Sequence, residues 1–194
     1  GFFIFTTNSV PENNTEIFFP NKKINYVYEL DIPRIIEIKI IGKDYIKFLK
    51  QIRTVGQKKN ILSPVMNSFM KKWVNAELIL HEGKNKKIKV KIKLHGDFND
   101  HISIPYSSLN VRSKDVFMNQ LKEFILFIPS TRRYRAEIFG TILMQELGLL
   151  APTTKEVEVT INSNEKKVYL LQEKINKFFL ERAELREGPI IEFD

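Results

Sequence analysis

The 194-residue sequence contains no cysteine. That excludes thiol catalysis, disulfide staples and cysteine-based zinc sites. It does not decide the compartment, because a chain without disulfides suits either side of a membrane. Histidine is scarce, at three residues. Two of them, His95 and His101, stand close together, but no third ligand follows at a suitable spacing, which argues against a metal site. There is no zinc-finger or RNP-type motif, so no specific nucleic-acid readout is expected. No internal repeat or low-complexity linker divides the chain. The apolar opening, Gly1-Phe2-Phe3-Ile4-Phe5, is too short to span a bilayer. It reads either as the remnant of a signal or membrane anchor lying upstream of Gly1, or as a buried first strand. An extracytoplasmic or membrane-anchored location is the expectation, with the cytoplasm left open.

What is present is enough for one core, or for one compact domain with an appendage: 43% hydrophobic residues, with 15 Phe and 6 Tyr. The net charge is +8. An excess of this size fits three anionic partners: nucleic acid, an acidic membrane or a phosphorylated ligand. The lysines lie largely on alternating strand positions and in loops such as Lys84-Asn85-Lys86-Lys87, which also fits a solvated face.

The periodicity predicts strand-like chain from Asn25 to Ile41, broken at Pro33, and a helix over 43–53. Residues 61–72 are ambiguous, with room for a short helix after Pro64. Trp73–Leu80 and the stretch ending at Leu94 form a predicted hairpin around His81-Glu82-Gly83. Strands follow from about Ser108 to Lys114 and from Phe124 to Ile128. A helix is expected from Ser130 or Thr131 to Leu147, with Tyr134, Ile138, Ile142 and Leu143 inward and Gly148 as its stop. Val157–Ile161 and Val168–Gln172 make a second hairpin, and a short helix spans about Ile175 to Arg182. The sum is an α+β fold, an antiparallel sheet with packed helices.

The most informative segment is Lys93-Leu94-His95-Gly96-Asp97-Phe98-Asn99-Asp100-His101. Ile88, Val90, Ile92 and Leu94 alternate with Lys87, Lys89, Lys91 and Lys93, and the strand ends at Gly96. A residue without Cβ turns sharply there or lets the backbone approach a ligand. Two carboxylates and two imidazoles then fall within seven residues. Taken alone, the segment is either a solvated Gly-Asp turn or polar chemistry mounted on a strand end.

Read in order, the motifs resemble the CotH-like kinase family, named for a spore-coat protein kinase. Lys93-Leu94-His95-Gly96-Asp97 with His101 is similar to the family's basic-Leu-basic-Gly-Asp segment and following Asp-His pair. Ser108-Leu109-Asn110-Val111-Arg112 is similar to its Ser-aromatic-basic-Ile-Lys strand, and Phe124 to Arg132 to its Phe-Ser-Leu-x-x-Pro-x-Thr-Arg element. Glu137 lies in the helix that follows. Glu146 to Pro152, Gln172-Glu173-Lys174 and Arg186 to Ile191 continue the match, which covers about residues 73–194. The resemblance implies the nucleotide-binding lobe of an atypical kinase, with residues 1–72 an N-terminal extension packed on it. It also implies ATP with Mg2+ as cofactors, a protein hydroxyl as substrate, and a second lobe carrying the catalytic and metal-holding carboxylates, expected beyond Asp194. On that reading the chain is a fragment, inactive alone. The alternative is a non-catalytic cell-envelope interaction module. The chain departs from the pattern at His95, where a basic residue is usual, and at Asn162-Ser163-Asn164, where a glycine is customary.

Phosphoryl transfer depends on charge neutralisation and positioning. The first candidate for the phosphate-binding cation is Arg112, with Lys93 and Lys114 as alternatives. Glu137 is the candidate carboxylate to orient that cation, or else a stabiliser of its helix start. Arg132, Arg133 and Arg135 crowd the same helix start and invite an anion. Gly96 and Asp97 border the site, with Asp97 either holding the turn or helping to place a metal. Glu173 follows the second hairpin, where its backbone neighbours could meet adenine or its side chain cap the next helix.

Overall fold

A computed structural model describes residues 24, 26, 29–57, 71–81, 86–104, 106–118 and 121–190. The apolar opening, the ambiguous 61–70 stretch, the His81-Glu82-Gly83 turn beyond His81, and Asp194 lie outside the described residues.

Seven strands close into a barrel. They are β1 (Ile35–Lys39), β2 (Val74–Leu80), β3 (Lys86–Leu94), β4 (Leu109–Phe117), β5 (Leu121–Phe127), β6 (Thr154–Ile161) and β7 (Lys167–Glu173). The helices are α1 (Gly42–Gln57), α2 (Ala136–Glu146) and α3 (Lys177–Arg182). Around the barrel the order is β1-β2-β3-β4-β5-β7-β6. Neighbours are antiparallel except β1 and β6, which run parallel from Ile35 opposite Glu158 to Ile38 opposite Ile161.

The α+β expectation, an antiparallel sheet with packed helices like a kinase nucleotide-binding lobe, is therefore corrected. The sheet has no open edge at β1 or β6, because β1 pairs with β2 on one side and β6 on the other. Alternation within each strand was legible, but the β1–β6 pairing joins segments some 120 residues apart, and periodicity says nothing of partners at that distance. Closure satisfies the backbone groups that an open sheet would leave at its edges.

Alternation fills the barrel. Ile36 and Ile38, Leu78 and Leu80, Ile92 and Leu94, Leu109 and Val111, Phe124 and Leu126, Tyr169 and Leu171, and Val157, Val159 and Ile161 are all buried. Their register places them on one side of the sheet. Fully burying each such side chain is worth about 1.5–3 kcal/mol. Helix α1 adds Phe48, Ile52 and Val55 at i, i+4 and i+7 to the same core. Its first turn is tied to β2 where Asn75 Nδ2 donates to Asp44 Oδ2 at 2.8 Å.

Helix α2 differs from the expectation. Pro129–Arg132 form a 3-10 turn, and Arg133 and Tyr134 follow with φ of 51° and 56°. These left-handed residues break the chain's helical path, so α2 begins only at Ala136, and neither Ser130 nor Thr131 caps it. The face turns with it. Tyr134, Ile142 and Leu143, expected inward, are 63%, 51% and 46% exposed, as is Phe139 at 69%, while Thr141 is buried. The periodicity was helical, but it marked a stripe that points outward. No described helix is long and apolar enough to cross a membrane.

Candidate functional site

Inward packing of one set of strand residues sends the other set outward. Across β3, β4, β5 and β7 the register arranges these outward side chains in rows. Lys91 stands opposite Arg112, and Arg112 opposite Glu123. Lys174 ends this row, with its backbone N–H on the Glu123 carbonyl and its Nζ 3.2 Å from Oε2 of the same residue. The next row runs Lys93, Asn110, Ile125, Gln172, Thr154. One step further, His95 donates its backbone N–H to the Ser108 carbonyl, and Phe127 stands opposite Leu170.

Cations dominate this face. Trp73, just before β2, gathers two of them: the Arg112 guanidinium lies 4.1 Å and the Lys93 Nζ 5.1 Å from its ring centroid. Both contacts have cation–π geometry. Partial burial pushes the Lys93 ammonium below the ordinary lysine range, and the nearby Lys174, Lys71 and Arg112 charges push it further. Glu123 opposes that effect. Four like charges held this close favour an anion among them.

The turn after β3 borders the same face. Lys71 Nζ donates to the Gly96 carbonyl and to Asp97 Oδ1, the latter at 3.0 Å. That hydrogen bond holds the Asp97 carboxyl below the usual range. Gly96 is required here: its φ is +92°, and a Cβ would overlap the His101 ring. His101 shares a 3.0 Å hydrogen bond with the Ser108 hydroxyl, which also accepts from the Ile128 N–H at 3.0 Å. His95 packs perpendicular to Phe127 at 5.0 Å between centroids. Burial and the charges of His101, Arg132 and Lys71 push the His95 imidazole down to about 4.

The six candidates of the sequence reading fall into two groups. Lys93, Gly96, Asp97 and Arg112 gather around Lys71 and Trp73. Glu137 reaches the same outer face through Gln172, whose Nε2 donates to Glu137 Oε1 at 2.8 Å and to the Thr154 hydroxyl at 3.0 Å. The expected approach of Arg112 to Glu137 is not a direct contact: one stacks on Trp73 and the other takes Gln172.

Glu173 is elsewhere. It stands opposite Phe124, whose side chain points into the barrel, and so faces away from Gln172 and Lys174. There it is buried in a two-pronged pair with Arg182, whose Nε donates to Glu173 Oε1 at 3.1 Å and whose Nη2 donates to Oε2. Burial pushes the Glu173 carboxyl up while Arg182 opposes the shift. The Arg182 guanidinium in turn lies over the Tyr26 ring at 4.1 Å. This is a structural pair. The α3 cap belongs to Asn176, whose Oδ1 accepts from the Phe178 and Phe179 N–H groups.

The three arginines at the start of α2 separate as well. Arg132 stacks on Phe127 at 4.3 Å. Arg135 pairs with Glu156 at 3.1 Å, and Arg133 is exposed with a left-handed backbone. Lys71, Trp73, Gln172 and Lys174 were missed. Phase could have found two: Lys174 follows Gln172 by two positions, and Trp73 is in phase with the outward positions of β2. Lys71 lies in a loop where no periodicity applies.

Among the described residues no three acids or imidazoles converge. Asp97, Glu123 and Glu137 border the face but are engaged by Lys71, Lys174 and Gln172 in turn. No family model matches the chain, and no curated protein matches it.

Proposed function

We propose that the outward face of β3, β4, β5 and β7 binds the triphosphate of ATP, serving phosphorylation of a protein hydroxyl as the resemblance to CotH-like kinases implies. One observation carries the reading: Lys93, Arg112, Lys174 and Lys71 share one face, with Lys93 and Arg112 both over Trp73. Arg112 and Lys93 take phosphate oxygens, arginine in two-pronged fashion and lysine as a point charge. Gln172, fixed by Glu137 and Thr154, lies in the same row as Lys93. Magnesium enters only as the companion of the triphosphate. The reading rests on the charge and register of this face, not on a kinase-like sheet.

Trp73 is the only tryptophan, so its fluorescence reports on the site directly. Titration with ATP is expected to change that emission. Arg112→Gln and Lys93→Gln are each expected to weaken binding about tenfold, the worth of one charge-assisted hydrogen bond. Equal binding of ATP, inorganic tripolyphosphate and heparin, with the same salt dependence, would reduce the face to a general polyanion surface. Radiolabelled phosphate transfer to a protein acceptor tests the activity.

A second reading has its own observation. Phe139, Ile142, Leu143 and Leu147 are each more than 40% exposed along one side of α2. Such an apolar stripe favours a non-catalytic interaction module. Absence of ATP binding at millimolar nucleotide would favour that reading.

A further inference from the structure

The third row of the outer face holds a cation that the site above does not use. Arg132 lies over Phe127, with its guanidinium carbon 4.3 Å from the ring centroid. Its Nε is buried and has no hydrogen-bond partner. Buried guanidinium donors are rarely left so, and each case calls for a physical reason. Arg132 as a whole keeps partial exposure, so the side chain is not sealed in the core.

His95 packs against the same Phe127 ring, at an interplanar angle of 84°. The ring therefore meets both a guanidinium and a perpendicular imidazole. Outward residues two apart on a strand are about 7 Å apart. The Arg112, Lys93 and His95–Arg132 rows thus follow one another along the face, and the Arg132 row lies one step of about 7 Å from that of Lys93.

We propose that Arg132, with His95, holds the terminal phosphoryl group of the bound nucleotide, so that this end of the face distinguishes a triphosphate from a diphosphate. The inference rests on the ATP reading and adds to it the residue that recognises the γ-phosphate. The groups facing His95 agree with an anion there. Burial disfavours its charged form most, His101, Arg132 and Lys71 add to that, Asn110 offers a hydrogen bond, and Asp97 is already held by Lys71. Asp100 sits on the far side, 3.9 Å from His101 Nε2. An arriving anion offsets the like charges around His95 and makes a proton on it less costly.

The test compares ATP with ADP on the whole chain by Trp73 fluorescence and calorimetry. The unaltered chain is expected to prefer ATP at least tenfold. Arg132→Gln brings that ratio close to one while ADP binding changes less than twofold, and retained ADP binding also shows that the variant is folded. Arg132→Lys keeps part of the preference through its charge. Lowering the pH from 7.5 to 5.5 raises the preference in the unaltered chain and not in His95→Gln. If ATP and ADP bind the unaltered chain equally, or if Arg132→Gln weakens both alike, the assignment of Arg132 is wrong although the nucleotide site stands. If neither nucleotide binds, both readings fall.

Discussion

The Asn162 side chain binds Ile40 as a strand would. Its Nδ2 donates to the Ile40 carbonyl at 2.9 Å, and its Oδ1 accepts from the Ile40 N–H at 2.6 Å. Its backbone N–H continues the pattern to the Ile38 carbonyl at 2.9 Å. Beyond Ile38 opposite Ile161, the parallel β1–β6 seam is thus prolonged by one amide. Asn162 has φ of 48°, a left-handed conformation that asparagine tolerates better than most residues. Asparagine at the β6–β7 turn has a reason: glycine would accept the backbone but could not make the bridge.

Replacing Asn162 by Gly keeps the left-handed turn and removes only the amide. The expected cost is about 1–3 kcal/mol, the range for two part-buried hydrogen bonds and the groups they would leave unpaired. Urea denaturation of both proteins measures it. An unchanged midpoint would mean that strand pairing alone holds the seam.

The Glu173–Arg182 pair makes a second prediction. Both side chains are almost wholly buried, at 3% exposure for Arg182 and 5% for Glu173. Arg182→Met leaves a lone buried carboxylate and is expected to cost about 3–5 kcal/mol. Adding Glu173→Gln should recover part of that loss. In Arg182→Met, burial without a cation raises the Glu173 carboxyl above its unfolded value, so the deficit is full at neutral pH and shrinks as the pH falls through the raised value. A deficit that does not change with pH would place the cost in lost packing on Tyr26 instead.

His95 predicts how stability depends on pH. Its imidazole is depressed from 6.5 to about 4 in the fold. The unfolded chain therefore binds the proton more readily, and the neutral form's contribution is complete above pH 6.5. It is lost as the pH falls from there toward 4, to a limit of about 3 kcal/mol. Burial depresses His101 in the same direction, so both histidines act with one sign. Unfolding free energies at pH 7.5, 6 and 5 should decline in the unaltered chain and decline less in His95→Gln. Parallel curves would show that His95 is not the group responsible.

The strands were legible because alternation is a local property. Ile88, Val90, Ile92 and Leu94 define a buried face whatever they pack against, and Lys87 to Lys93 define an outer one. Both hairpins follow from adjacent runs of this kind. In the α2 region local periodicity does not decide which face is buried. Its apolar residues repeat with helical spacing, yet two left-handed residues before Ala136 break the helix and the stripe lies outward. Glu173 is the matching case in the site. Its neighbours Gln172 and Lys174 face the cations, and a shift of one residue in phase sends it to the opposite side of the sheet.

By itself the sequence determined the excess of positive charge, the alternation that makes strands, the glycine turn at Gly96 and the absence of thiol chemistry. These depend on residue type and near neighbours. Tertiary structure decided that the sheet closes, because the pairing of β1 with β6 brings together segments far apart in the chain. It also decided which cations share a face. Arg112 and Lys93 meet over Trp73 only through the registers of β2, β3 and β4, and Lys174 joins them only because β7 lies beside β5. Register is set by the packing of the buried side, so the outer face takes its chemistry from a core it does not touch.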